Sequence, residues 1–175
     1  MKKTLSVLAL SLSSTVAMAD IITFEGTVKA PGTCPVEVVT PGGPLLPLVL
    51  LGDFKTTAFN AVGQETPDKQ FALRIPASCV TGTQSAYTTF TANHNPDKDN
   101  PDLYALKSGI GYTTGLALAI DDKATRLPPG TESAGYELKN TGHTDVVFLA
   151  RLVTTKPSVT EGHIDTSISF DVDIR

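Results

Sequence analysis

Several things are scarce or missing in this chain, and each absence closes a door. Basic residues are outnumbered, 14 Lys and Arg against 18 Asp and Glu, for a formal net charge of −4. That mildly acidic balance argues against nucleic acid as a partner. After the first nineteen residues no stretch approaches eighteen consecutive apolar residues, so no membrane-spanning helix is expected and the processed chain is expected to be soluble. There is no C-x-x-C, which disfavours a thioredoxin-like redox pair. There is no Gly-x-Ser-x-Gly elbow, so serine, histidine and aspartate do not add up to a hydrolase. The three histidines, His94, His143 and His163, lack zinc spacing. Asp97, Asp99 and Asp102 fall short of a calcium loop, because Pro101 takes the fifth position and no glycine takes the sixth. Gly109-Ile110-Gly111 begins like a phosphate loop, but Thr114 replaces the third glycine and a strand pattern follows rather than a helix. No cofactor and no metal are expected, and the chain is not read as an enzyme.

Cysteine is scarce too, but informatively so. Lys2 and Lys3, the mostly apolar run from Leu5 to Val16 and the small residues Ala17-Met18-Ala19 form a secretory signal over residues 1–19, with processing expected before Asp20. The remaining 156 residues suit one domain, with 12 basic and 18 acidic residues. In an exported chain the pair Cys34 and Cys79 is most simply one disulfide, with two free buried thiols as the alternative. The bridge closes a loop of 45 residues, and chain entropy gives it roughly 4 kcal/mol at best.

What is present is alternation. No long amphipathic helix and no internal repeat stand out. Candidate strands run near Ile21–Lys29, Val36–Thr40, Leu48–Phe54, Phe71–Cys79, Ala86–Ala92, Gly115–Asp121, Val146–Thr154 and His163–Arg175. Phe71, Leu73, Ile75, Ala77 and Cys79 share one face, as do Leu116, Leu118 and Ile120, and Val146, Phe148, Ala150 and Leu152. Such strands belong to sheets with one wet side. Turn-rich stretches lie between them, including Pro41-Gly42-Gly43-Pro44, Asn93 to Asp102 and Pro128-Pro129-Gly130, so the expectation is an all-β sandwich. The segment Pro41 to Leu51 reads as a loop entering a buried strand.

The two ends carry the functional argument. In the last thirteen residues Ile164, Thr166, Ile168, Phe170, Val172 and Ile174 occupy one face, and Asp165, Ser167, Ser169, Asp171 and Asp173 the other. A strand this apolar needs a neighbour on each side, and the expectation is that one neighbour is missing, leaving an edge that pairs with another chain. The first strand mirrors it, with Ile22, Phe24, Gly26 and Val28 on one face and Thr23, Glu25, Thr27 and Lys29 on the other. Gly26 is odd on an apolar face, since glycine weakens a strand interior and often marks close backbone approach. Either this is the first strand of a complete sandwich with a bulge at Gly26, or it is an arm that inserts into a neighbouring molecule.

The order Phe24-Glu25-Gly26, Cys34, Leu51-Gly52, Phe71 to Cys79, Gly115 to Asp121, Phe148 to Leu152 and Gly162 ahead of the alternating last strand resembles the pilins of the chaperone–usher family, the fimbrial subunits of Gram-negative bacteria. One departure is Ile174, where that family commonly has an aromatic residue. The resemblance implies an immunoglobulin-like β-sandwich lacking its last strand and completed in trans by a donor strand. It implies a donor-strand arm over residues 20–30 and a pilin domain over residues 31–175. Ile22, Phe24, Gly26 and Val28 would fill successive pockets of a neighbouring subunit. Gly162, Ile168, Phe170, Val172, Ile174 and Arg175 would form the acceptor groove and the chaperone contact, with the Arg175 carboxylate held by the chaperone. The implied partners are neighbouring pilus subunits, a periplasmic chaperone and an outer-membrane usher, and the implied destination is a cell-surface fimbrium. Two other readings stay open: a receptor-binding adhesin using loops Pro41–Pro47 or Asn93–Asp102 on a host receptor, and a self-sufficient secreted sandwich.

Overall fold

The computed structural model describes residues 21–28, 34–123 and 125–175. The expected signal segment, residues 1–19, and the arm's outer residues 20, 29 and 30 lie outside them. Among the described residues there are eleven strands: β1 (Ile21–Val28), β2 (Glu37–Val39), β3 (Leu48–Val49), β4 (Lys69–Pro76), β5 (Ser85–Ala92), β6 (Tyr104–Ala105), β7 (Leu116–Asp122), β8 (Thr125–Arg126), β9 (Tyr136–Glu137), β10 (His143–Thr154) and β11 (Asp165–Ile174). One sheet has the order β3-β1-β11-β5-β9. The other has the order β2-β4-β10-β7-β6, with β8 pairing at β7. The two sheets face each other across one core.

The long strands form where alternation is cleanest. Val146, Phe148, Ala150 and Leu152 of β10 are fully buried, and β10 pairs antiparallel with β4 on one side and β7 on the other. Phe71, Leu73 and Ile75 of β4 point into the same core. Its centre is a cluster of rings. Phe90 of β5 meets Phe148 edge-on at 4.9 Å between centroids, Phe71 lies 6.0 Å from Phe90, and Phe170 of β11 reaches Phe90 at 6.5 Å. Edge-to-face pairs at these separations add to the burial they already provide.

Three details depart from the sequence reading. Strand pairing in the Leu48–Phe54 stretch is confined to Leu48–Val49, and the chain then turns at Gly52 (φ 118°) toward a short 3-10 turn at Thr56–Ala58. The strand expected to reach Cys79 ends at Pro76, and Ala77–Cys79 forms a 3-10 turn. The expected wet side of β7 is dry. Ala117 and Ala119 are buried with Leu103 and Val153 in a small second cluster, and Asp121 on the same face is also buried. Alternation reports which residues share a face; it does not report that a loop will cover that face.

Candidate functional site

The site of interest is the slot beside β11. Its inward residues Thr166, Ile168, Phe170 and Val172 are buried, and Ile174 is half-buried. Thr166, the one polar residue on this face, donates its hydroxyl to the Ala105 carbonyl at 2.9 Å, which satisfies it in an apolar setting. Antiparallel β5 covers one side of β11, with Phe170 opposite Phe90 and Val172 opposite Thr88.

The other side of β11 is taken by β1 of the same chain. The pairing is parallel and runs over eight positions, with Ile22 opposite Thr166, Phe24 opposite Ile168, Gly26 opposite Phe170 and Val28 opposite Val172. β3 closes the far side of β1 through Ile22–Val49 and Thr23–Leu48. The expected vacancy is therefore filled in the lone chain by its own first strand. The physical reason is simple. An open apolar edge takes the strand available to it, and a single chain has only its own to offer. The four positions expected to act together, Ile22, Phe24, Gly26 and Val28, fall opposite the four inward positions of β11. Gly26 stands opposite the bulkiest of them.

The remaining expected residues lie at the two ends of this slot. The Arg175 backbone exchanges two hydrogen bonds with Ser85, N–H to carbonyl at 3.0 Å and carbonyl to N–H at 2.8 Å. Its guanidinium reaches Glu132 at 2.7 Å and Asp173 at 2.5 Å and lies 4.0 Å from the Tyr87 ring centre. Gly162 sits at the opposite end, just before β11. A Cβ there would come within 2.3 Å of the Tyr112 carbonyl carbon and 2.4 Å of the Thr113 nitrogen. Two backbones cross at that point, held by Thr113 N–H to His163 O at 3.0 Å and His163 N–H to Gly111 O at 2.8 Å. Glycine permits the crossing, and this accounts for Gly162 within the fold itself.

Cys34 and Cys79 form the disulfide, with Cα atoms 5.5 Å apart. The bond lies six residues past the end of β1. It ties Cys34 to the turn after β4.

Several charged residues brace the sheets. Arg74 grips Asp145 through two bonds of 2.7 Å, and Gly42 N–H reaches the same carboxylate at 2.8 Å, pinning the Pro41–Pro44 turn to β10. The Arg74 guanidinium holds the Asp145 carboxyl below the usual carboxylate range. Buried Asp121 accepts from Arg126 and Arg151, and Glu65 bonds both arginines. Tyr136 donates its hydroxyl to buried Asp122, and burial, that bond and the nearby carboxylate all push the phenol pKa up. Sequence reasoning missed the slot's second wall, β3, and the role of β5. Val49 and Leu51 are 2% exposed, and the leucine-rich run before Gly52 was the signal that pointed there.

This is a two-sheet sandwich in which one strand bridges the last strand and a short edge, the fold class of pilus subunits. The match is direct: the family model for fimbrial protein covers residues 22–175, and the chain belongs to that family. It is 28% identical over 124 residues to long polar fimbria protein A of Salmonella typhimurium, covering 71% of this chain and 68% of the relative. It is 30% identical over 123 residues to a fimbrial-like protein of Escherichia coli K12, covering 70% and 69%. Among solved structures it is similar to the P pilus rod subunit PapA, with a TM-score of 0.63, 15% identity and coverage of 81% and 99%. It is also similar to a subunit of a chaperone–usher pilus solved for its rod uncoiling, with a TM-score of 0.60, 16% identity and coverage of 97% and 100%. The chain is thus a structural pilus subunit with an immunoglobulin-like fold. Members of the family assemble with other subunits at the cell surface and are not, as a family, enzymes.

Proposed function

We propose that this subunit polymerises by strand addition, the residue 20–30 arm of one copy occupying the slot along Ile168, Phe170, Val172 and Ile174 of another. The observation that carries the reading is the place of β1. Among the described residues it pairs with β11 and β3, neither of them its neighbour in sequence, and its pairing with β11 is parallel, the slightly weaker arrangement. Exchanging it for an identical strand from a second copy conserves the bonding and joins the two molecules. Such a head-to-tail contact does not close, so it grows into a filament. During export a periplasmic chaperone lends the strand and receives the Arg175 end, and an outer-membrane usher hosts the exchange. The form with β1 in its own slot then competes with assembly.

A variant lacking residues 1–30 tests this with a peptide of residues 20–30. The expected result is a saturable rise in melting temperature; no rise overturns the reading. In the register seen here Gly26 is opposite Phe170, which is 4% exposed, so a side chain at that position competes with the ring for space. A Gly26→Leu peptide is accordingly expected to lose most of the effect.

One observation favours a second reading. Because β1 completes the sandwich of its own chain, the protein could serve as a self-sufficient secreted module. A chain that stays monomeric indefinitely at high concentration, with no filaments on cells expressing it, favours that reading over assembly.

A further inference from the structure

Asp122 is a buried carboxylate that the strand slot does not use. It continues the inward row Leu116, Leu118, Ile120 of β7 and is 4% exposed. A carboxylate is costly to bury unless its oxygens are hydrogen-bonded. Both oxygens of Asp122 accept from one short segment that borders the opposite sheet. Oδ1 takes the Tyr136 hydroxyl and Oδ2 takes the Ala134 N–H at 2.7 Å. The Tyr136 ring lies 6.0 Å from Phe148 between centroids, so the anchor sits in the core.

The segment held in this way is a strap, residues 128–138, and it covers the outer edge of β5. The inner edge of β5 pairs with β11. Along the outer edge, alternate residues bond to the strap. Gln84 O accepts from Leu138 N–H at 2.9 Å, Thr88 O from Ser133 N–H at 2.8 Å and Phe90 O from Gly130 N–H at 2.8 Å. Thr88 N–H donates to the Ser133 hydroxyl oxygen at 2.9 Å, and Ala86 pairs with Tyr136 of β9. Leu127 and Leu138, at the two ends of the strap, are buried in the core.

The strap is a poor template for further pairing. Its regular part is only Tyr136–Glu137, Pro128 and Pro129 carry no N–H, and Gly130 turns at φ 80°. Such a border blunts an edge that would otherwise pair with another chain. β1, on the far side of β11, is by contrast a regular strand of eight residues.

We infer that the strap is an edge guard locked by Asp122, and that it keeps β5 from accepting a strand from a second copy of this chain. Strand exchange is then confined to the β11 slot. Two accepting edges on each subunit would branch a filament; one keeps it linear. That consequence rests on the assembly reading, but the guard is tested at β5, whereas a failure of slot exchange would be read at β11.

The test uses the full chain with β1 in its own slot. Asp122→Ala removes both acceptors, while Asp122→Asn keeps an oxygen for the Ala134 N–H. Ser133→Pro removes the donor to Thr88 and leaves Asp122 in place. Amide hydrogen exchange followed by NMR reads the strap at Gly130, Ser133, Ala134 and Leu138, and the β11 side at Ser85 and Arg175, which bond each other. Sedimentation reads association. In Asp122→Ala the strap amides are expected to exchange about tenfold faster or more, with the β11 side still protected. The chain is then expected to associate more than the native chain as concentration rises, with protection returning at Thr88. Ser133→Pro is expected to associate in the same way, and Asp122→Asn to stay closer to native. Strap amides that remain protected in Asp122→Ala overturn the lock. A loosened strap in chains that stay monomeric, or association that deprotects β11 without protecting β5, overturns the guard. If Asp122→Ala does not fold, the association state of Ser133→Pro decides.

Discussion

Phe170→Ala is the substitution that tests the slot and the core together. The ring is 4% exposed, sits opposite Phe90 on β5 and opposite Gly26 on β1, and meets Phe90 at 6.5 Å between centroids. Truncating a buried phenylalanine costs about 3–5 kcal/mol, including the cavity left behind and the lost ring pair. That is a large share of the roughly 5–15 kcal/mol that holds a domain together. At about 2–4 °C per kcal/mol for a domain of this size, the melting temperature should fall by about 6–20 °C. The control is its neighbour on the outer face. Ser169 lies half-buried, with its hydroxyl donating to Asn93 at 2.8 Å, so Ser169→Ala should cost at most about 1 kcal/mol. Urea unfolding of both variants at unchanged slope gives the two values directly. If Phe170→Ala costs less than about 1 kcal/mol, or if the two variants are equally destabilised, β11 does not present the face assigned to it.

Three further outcomes are expected. Gly162→Ala forces a Cβ into the backbone at Tyr112 and Thr113 and should lower stability by about 1–3 kcal/mol or more, seen as a lower melting temperature. Thr88 is fully buried with an unpartnered hydroxyl, so Thr88→Val should leave stability unchanged or raise it by about 1 kcal/mol in urea unfolding. Asp145 has its pKa lowered in the folded state, chiefly by its Arg74 hydrogen bonds. Its contribution is present above the usual carboxylate range and lost as pH falls through the depressed value, so Asp145→Asn should lower stability near neutral pH and flatten its decline in acid, checked by melting temperature against pH.

Much of this fold was legible before any coordinates. The long strands β4, β5, β10 and β11 announce themselves because each buries one face, and burial forces a period of two onto the sequence, while β7 shows the same period in Leu116, Leu118 and Ile120. The disulfide was legible because a lone cysteine pair in an exported chain has one obvious partner. Three of the four two-residue strands among the described residues, β6, β8 and β9, were not legible, because two residues carry no period. Nor was the dry outer side of β7, where Ala117 and Ala119 meet Leu103 from a loop that joins them only in space. Gly162 stood out in sequence by its position before the last strand, but its physical reason, a backbone crossing at Tyr112, exists only in three dimensions.

By itself the sequence determined that this protein is a β-sandwich whose first and last strands each carry an alternating apolar face, because hydrophobic alternation is a local property written residue by residue. Only the tertiary structure decided which edge meets which. It set β1 parallel to β11 in the slot of its own chain, with Gly26 facing Phe170 across the ladder. Strand direction and register depend on where distant backbone groups come to rest, and no local pattern specifies that.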